Sequence, residues 1–177
     1  WYGPDDFTFK HDYRHGYYAT FRTGDTPDTS EKSMQSTKKY NVDETTRYWY
    51  GKIIEECKAN DIEVLIVGNQ DMRWTPGKIE CLTAYCEEMG IDFVDYNTPE
   101  MKAETGLNWK TDFYDHKHTN ARGSLKFTDH LARYIKQKYN LEPSDVSDEY
   151  KAHLAKDIER FKKDCAKATE KGFEVIW

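Results

Sequence analysis

The chain has 177 residues, enough for one domain and one moderate core. A net charge of −6 argues against a nucleic-acid binder, which needs a basic face to meet phosphate. Apolar content is low at 37%, but aromatics reach 15%, more than a disordered chain carries, and no apolar run approaches the roughly 18 to 20 residues of a membrane span.

Residues 1–42 are polar, Tyr-rich and aperiodic, broken by Gly3-Pro4, Gly16, Gly24 and Pro27. They read as an irregular connection that covers a site or another element, with Tyr17 to Phe21 as a candidate edge strand. From Asp43 to Asn60 the pattern is helical, with Tyr50, Ile53, Ile54 and Cys57 on one face. Glu63 to Val67 is a continuous apolar run, the signature of a buried parallel strand, and it ends in the polar turn Gly68-Asn69-Gln70-Asp71. Thr75 and Pro76 start a helix as N-cap and first-turn proline. Ile79, Leu82, Cys86 and Met89 share a face of that helix, and Gly90 is its C-cap. Ile91 to Tyr96 is a second strand, followed by a connection from Asn97 to Thr111. A helix runs from about Ala121 to Tyr139, with Leu131, Tyr134 and Ile135 apolar. A Lys/Glu-rich one follows from Ser147 to about Lys171, with Leu154, Ile158 and Phe161 in register. Helix–strand–helix–strand implies an α/β domain, a parallel sheet flanked by helices. Residues 1–42 form an irregular part of that domain, 43–143 its body and 144–177 a helical extension.

Residues 112–123, DFYDHKHTNARG, carry most of the functional information. Asp115 stands three before His118, close enough to fold back across one turn and accept a hydrogen bond from the imidazole. That contact fixes the tautomer and leaves the other ring nitrogen to act as a base. Two other readings compete. A loop rich in Asp, His, Lys and Asn is often plain solvated surface. Asp112, Asp115, His116 and His118 also have the donor types of a zinc or nickel site. The four cysteines, Cys57, Cys81, Cys86 and Cys165, make no CxxC pair and no dense framework. In an open α/β sheet, sites form beyond the carboxyl ends of the strands, and chain order puts both Gly68–Asp71 and the Asp115–His118 loop there.

From about Tyr48 to Tyr139 the chain resembles the C-terminal half of an SGNH/GDSL-type hydrolase. The likeness lies in the order of elements and in D-F-x-D-x-x-H-x-N-x-x-G leading into a helix. The resemblance implies a three-layer, flavodoxin-like fold and a Ser–His–Asp mechanism acting on esters, by hydrolysis or O-acyl transfer. It makes His118 the general base and Asp115 its orienting partner, with Asn120 and Gly123 shaping the turn into the helix. Asn69 is assigned a supporting place at the strand end. No cofactor and no metal are implied. His116 is expected to point away from His118 and to be the more exposed of the two.

The departures from the family are as informative. The nucleophilic serine of the family sits in Gly-Asp-Ser after a first strand, and this chain has no such motif. Gly24-Asp25 is followed by Thr26, and Ser30, Ser33 and Ser36 lie in a polar stretch, while Ser124 sits in the helix after the histidine. Gly68-Asn69-Gln70-Asp71 is only superficially like the family's Gly-x-Asn-Asp block, because Gln70 replaces the asparagine. The resemblance therefore implies an incomplete domain whose nucleophile and missing strands come from an upstream segment or a second chain. The substrate would be a small-molecule or carbohydrate ester, such as a cell-wall acyl ester, with Trp74 and Trp109 either stacking on a sugar or packing in the core. A different class of function also fits: a non-catalytic, carbohydrate-binding or structural module on the same scaffold. The chain opens on Trp1 and shows no signal peptide, and its compartment stays open.

Overall fold

The computed structural model describes residues 19–173, which form a mixed α/β chain, mostly helical, with a two-stranded parallel sheet. It divides into two compact units. One comprises Asp25–Trp109 with Asp115–His118, and the other, among the described residues, 19–24, Lys110–Tyr114 and 119–173. No helix among the described residues is long and apolar enough to cross a membrane.

The first unit holds α1 (Ser30–Met34), α2 (Glu44–Ala59), β1 (Leu65–Gly68), α3 (Pro76–Met89), β2 (Asp92–Asp95) and α4 (Pro99–Thr105). Asp43 starts α2 by accepting a hydrogen bond from Thr46 N at 3.0 Å, which satisfies one of the helix's orphan donors. The apolar run then forms β1, and β2 pairs with it in parallel, Leu65 opposite Asp92 through Gly68 opposite Asp95. A parallel pair needs a crossover, and α3 supplies it, packing on β2. Gly90 closes α3 in the left-handed conformation (φ 60°, ψ 48°), where a residue without Cβ pays no steric penalty. The core of this unit is Ile54, Met72, Tyr85, Cys86, Val94 and Tyr96. Residues 36–42 have no regular structure but run against the start of α3. A Cβ on Gly77 would stand 2.0 Å from the Lys38 carbonyl oxygen, so only glycine fits that crossing.

In the second unit, α5 (Trp109–Asp112) is followed by α6 (Ala121–Lys138) and α7 (Asp148–Glu170). Asn120 caps α6: its Oδ1 accepts from Gly123 N at 3.0 Å and its Nδ2 donates to Thr111 O at 2.8 Å. Asp112, fully buried, faces Arg122 Nε at 3.0 Å and Lys126 Nζ at 2.7 Å. Gly123 is again a close approach, since a Cβ there would lie 2.1 Å from Asp112 O. Residues 19–24 join this unit through Gly24 N–H to Phe113 O and Ala121 N–H to Thr20 O.

The structure corrects or refines four expectations. The connection after β2 contains two short helices, α4 and α5, and α4 uses the same start and stop as α3: Thr98 as N-cap, Pro99 in the first turn and Gly106 in the left-handed conformation. The stretch read as irregular contains α1; of the candidate edge strand, Tyr17 and Tyr18 lie outside the described residues, and 19–21 are not a strand. On α2, Ile54 is buried while Tyr50 and Ile53 are exposed, because a stripe this wide outruns what covers it. On α7, the stripe from Leu154 through Ile158 and Phe161 continues to Cys165 and Ala168, and only those last two are buried.

Two glycines of the first unit separate close approach from helix propensity. Gly77→Ala is expected to destabilise the protein by about 1–3 kcal/mol in urea unfolding, because the new methyl meets backbone. Gly51→Ala, in α2 with nothing within 4 Å of its Cβ position, should stabilise by about 0.5–1 kcal/mol. Equal effects at the two sites would show that the Lys38–Gly77 crossing is not a tight contact.

Candidate functional site

The turn Asp115–His118 is built by its own aspartate. One carboxylate oxygen, Oδ1, accepts from Lys117 N at 2.9 Å and His118 N at 2.8 Å, the local pattern by which Asp rolls the chain into a turn. The other, Oδ2, lies 2.7 Å from His118 Nδ1. Burial pushes the Asp115 carboxyl up, but the His118 hydrogen bond and the two backbone N–H groups outweigh it and hold the group well below the usual carboxylate range. An ionised carboxylate can only accept, so Nδ1 carries the proton and Nε2 is the basic nitrogen. Nε2 has no hydrogen-bond partner among the described residues.

His118 and Lys117 line a cleft of about 610 Å³ formed within the first unit. Its floor is the end of β1 and the turn Gly68–Asp71, and its walls come from Tyr40, Trp74, Lys78 and Tyr85 among others. Lys78 Nζ stands 5.2 Å from the Trp74 ring centre and 5.7 Å from that of Tyr40, a cation shared between two aromatic faces. The Tyr85 hydroxyl is buried without a hydrogen-bond partner among the described residues, and burial pushes its phenol up. The backbone ties floor and dyad together: Met72 N–H donates to His116 O at 2.9 Å.

The floor is held by two side chains at the end of β2 that the sequence reading passed over, Asp95 and Asn97. Asn97 Oδ1 accepts from Asp71 N at 2.8 Å, while its Nδ2 donates to Asn69 O at 2.9 Å and to Asp95 Oδ1 at 2.7 Å. Asp95 Oδ2 in turn accepts from Trp74 Nε1 at 3.2 Å, which fixes the cleft's tryptophan. Gly68 permits this approach, since a Cβ there would lie 2.9 Å from Asp95 Oδ1. The only sequence signal for this network is the polar pair flanking Tyr96 at the end of the second strand.

The predicted residues fall as follows. Asp115 and His118 are hydrogen-bonded, and Asn69 lies exposed on the cleft floor, with Gln70 beside it buried and donating weakly to Thr105 Oγ1 at 3.5 Å. Asn120 is a buried helix cap of the second unit. The expectation for His116 is reversed: it is half-buried with Nε2 fully enclosed, while the His118 side chain is 63% exposed. His116 is held by its backbone in the turn, and its ring packs inward. Trp74 lines the cleft; Trp109, half-buried at the start of α5, does not. Asp112 faces two cations, which occupies it as a metal donor, and among the described residues no three His, Cys, Asp or Glu side chains gather into a ligand set. Compared with protein-family models, curated proteins and solved structures, the chain finds no match in any of the three.

The Asp115 pKa sets a direction for pH dependence. Its folded value lies below the unfolded one, so the pair stabilises the turn at every pH above the ordinary carboxylate range and loses that contribution as pH falls through the folded value. Carbon-13 NMR of the side-chain carboxyls should find Asp115 still ionised at about pH 3.9, where an unperturbed aspartate is half protonated. An ordinary titration of Asp115 would mean that the contact to His118 is not maintained in solution.

Proposed function

We propose that this chain is the base-bearing part of an SGNH-type ester hydrolase or O-acyl transferase, with a three-layer α/β fold completed by a further segment or a second chain. The observation that carries the reading is the Asp115–His118 contact of 2.7 Å, with His118 opening onto the cleft at the carboxyl end of β1. In this mechanism His118 Nε2 takes the proton from a serine hydroxyl as the oxygen attacks the ester carbonyl. It returns the proton to the leaving alkoxide when the tetrahedral intermediate collapses, and water then repeats the sequence on the acyl-serine. Asp115 keeps the ring in the right tautomer and balances the imidazolium that forms in between. The mechanism needs no metal or cofactor. None of the chain's six serines lines the cleft, so the reading places the nucleophile on the completing segment.

One observation favours a second reading. A cleft walled by Tyr40, Trp74 and Tyr85 and lacking a serine also suits a carbohydrate-binding module that performs no chemistry.

Activity separates the two. The 177 residues alone should hydrolyse p-nitrophenyl acetate no faster than free imidazole and should take up no fluorophosphonate probe. Supplying the completing segment should restore turnover, which His118→Ala then lowers by about 10⁴-fold or more, the scale on which triad members act. Robust turnover by the chain alone, with a labelled serine, would overturn the placement of the nucleophile. If no completing segment restores turnover while a sugar binds in the cleft, the binding module is the correct reading.

A further inference from the structure

The Asp115–His118 contact lies on an open turn, and a turn held only by its own aspartate would sample other arrangements. The structure gives it an external anchor. His116 O accepts from Met72 N, one residue along from Asp71, whose own N–H is held by Asn97 Oδ1 at 2.8 Å. Asn97 is 1% exposed and uses both ends of its amide: the oxygen on Asp71, the nitrogen on Asn69 O and Asp95 Oδ1. Its own N–H also donates to Asp95 Oδ1 at 2.9 Å. A buried amide so fully engaged has one low-energy orientation, and it passes that orientation to residues 69–72.

We propose that Asn97 is a positioning residue for the Asp115–His118 pair, holding the turn through the Asp71–Met72 backbone. It touches neither the imidazole nor the cleft's contents; it sets where the backbone of His116 must sit, one residue after Asp115 and two before His118. The inference deepens the hydrolase reading and rests on it for its consequence, since a base in the wrong tautomer cannot accept the serine proton. The groups facing Asn97 are Asp95, from its own strand end, and the backbone of Asn69 and Asp71 from the turn after β1. None of them replaces the amide if it is removed.

The test is nitrogen-15 NMR of the His118 ring in the full 177-residue chain, in alkaline buffer where histidine rings are neutral. Wild type should show the Nδ1–H tautomer. Asn97→Ala should lose that single signature and show a mixture of tautomers. Ile54→Ala, a core truncation in the same unit that makes none of these hydrogen bonds, should keep the wild-type signature despite lower stability. If Asn97→Ala does not fold, Asn97→Ser, which keeps a short polar side chain and adds no charge beside Asp95, loses the amide's paired contacts to Asp71 N–H and Asn69 O and should shift the tautomer in the same direction. Unchanged tautomer in the folded Asn97 variant, or an equal shift in Ile54→Ala, overturns the proposal while leaving the dyad intact. Absence of the Nδ1–H tautomer in wild type would instead remove the dyad, and with it both the hydrolase reading and the role given to Asn97.

Discussion

A buried primary amide has two donors and an acceptor to satisfy, and each one left unmet costs the fold about 1–3 kcal/mol. At the end of β2, Asn97 meets that demand with the backbone of the turn leaving β1 and with the carboxylate of Asp95. The consequence runs outward. Asp95 can come this close only because Gly68 has no side chain, and its second oxygen fixes Trp74 in the cleft wall. The carboxyl end of a two-stranded parallel sheet is thereby made rigid by polar contacts rather than by further strands. Hydrogen bonds to a buried charged group are among the stronger ones available, so this junction offsets some of what so small a sheet lacks in apolar packing.

The Asp-x-x-His turn, taken alone, is a local device. Three hydrogen bonds to Asp115 come from within the next three residues, and an aspartate will organise such a turn in many loops with no function. What separates it from ordinary surface is its placement. His118 borders a cleft whose floor is the end of β1, and the backbone of the same turn is bonded to that floor at Met72.

Legibility from the sequence followed the physics of each signal. The ends of the longer helices are legible in the sequence: Asp43, Pro76, Asn120 and Ser147 stand at the expected starts and Gly90 at the expected stop. α4 went unread although Thr98, Pro99 and Gly106 spell the same start and stop, because seven residues are too few to show a hydrophobic period. The apolar faces of α2 and α7 show the converse limit: period reveals which residues share a stripe, not how far along the stripe cover extends. Asp115 and His118 were legible because their contact is local. Asp95 and Asn97 were not, because their partners in the turn after β1 lie 21 to 29 residues away and two polar residues at a strand end carry no pattern of their own.

Exposure is the remaining constraint on chemistry. With 63% of its side chain open, His118 sits in nearly aqueous surroundings, where the attraction between Asp115 and an imidazolium is screened towards the value for water. An oriented base in that setting has the right tautomer but little of the electrostatic stabilisation that makes a triad fast, which depends on excluding water from preorganised dipoles. Under the hydrolase reading, a completing segment therefore has two tasks. It must bring the serine oxygen to His118 Nε2, and it must cover the ring as it does so. A serine placed on a mobile tether would meet the first requirement and fail the second. Under that reading a structured element covering the cleft meets both requirements, because it delivers a nucleophile and removes water in a single step.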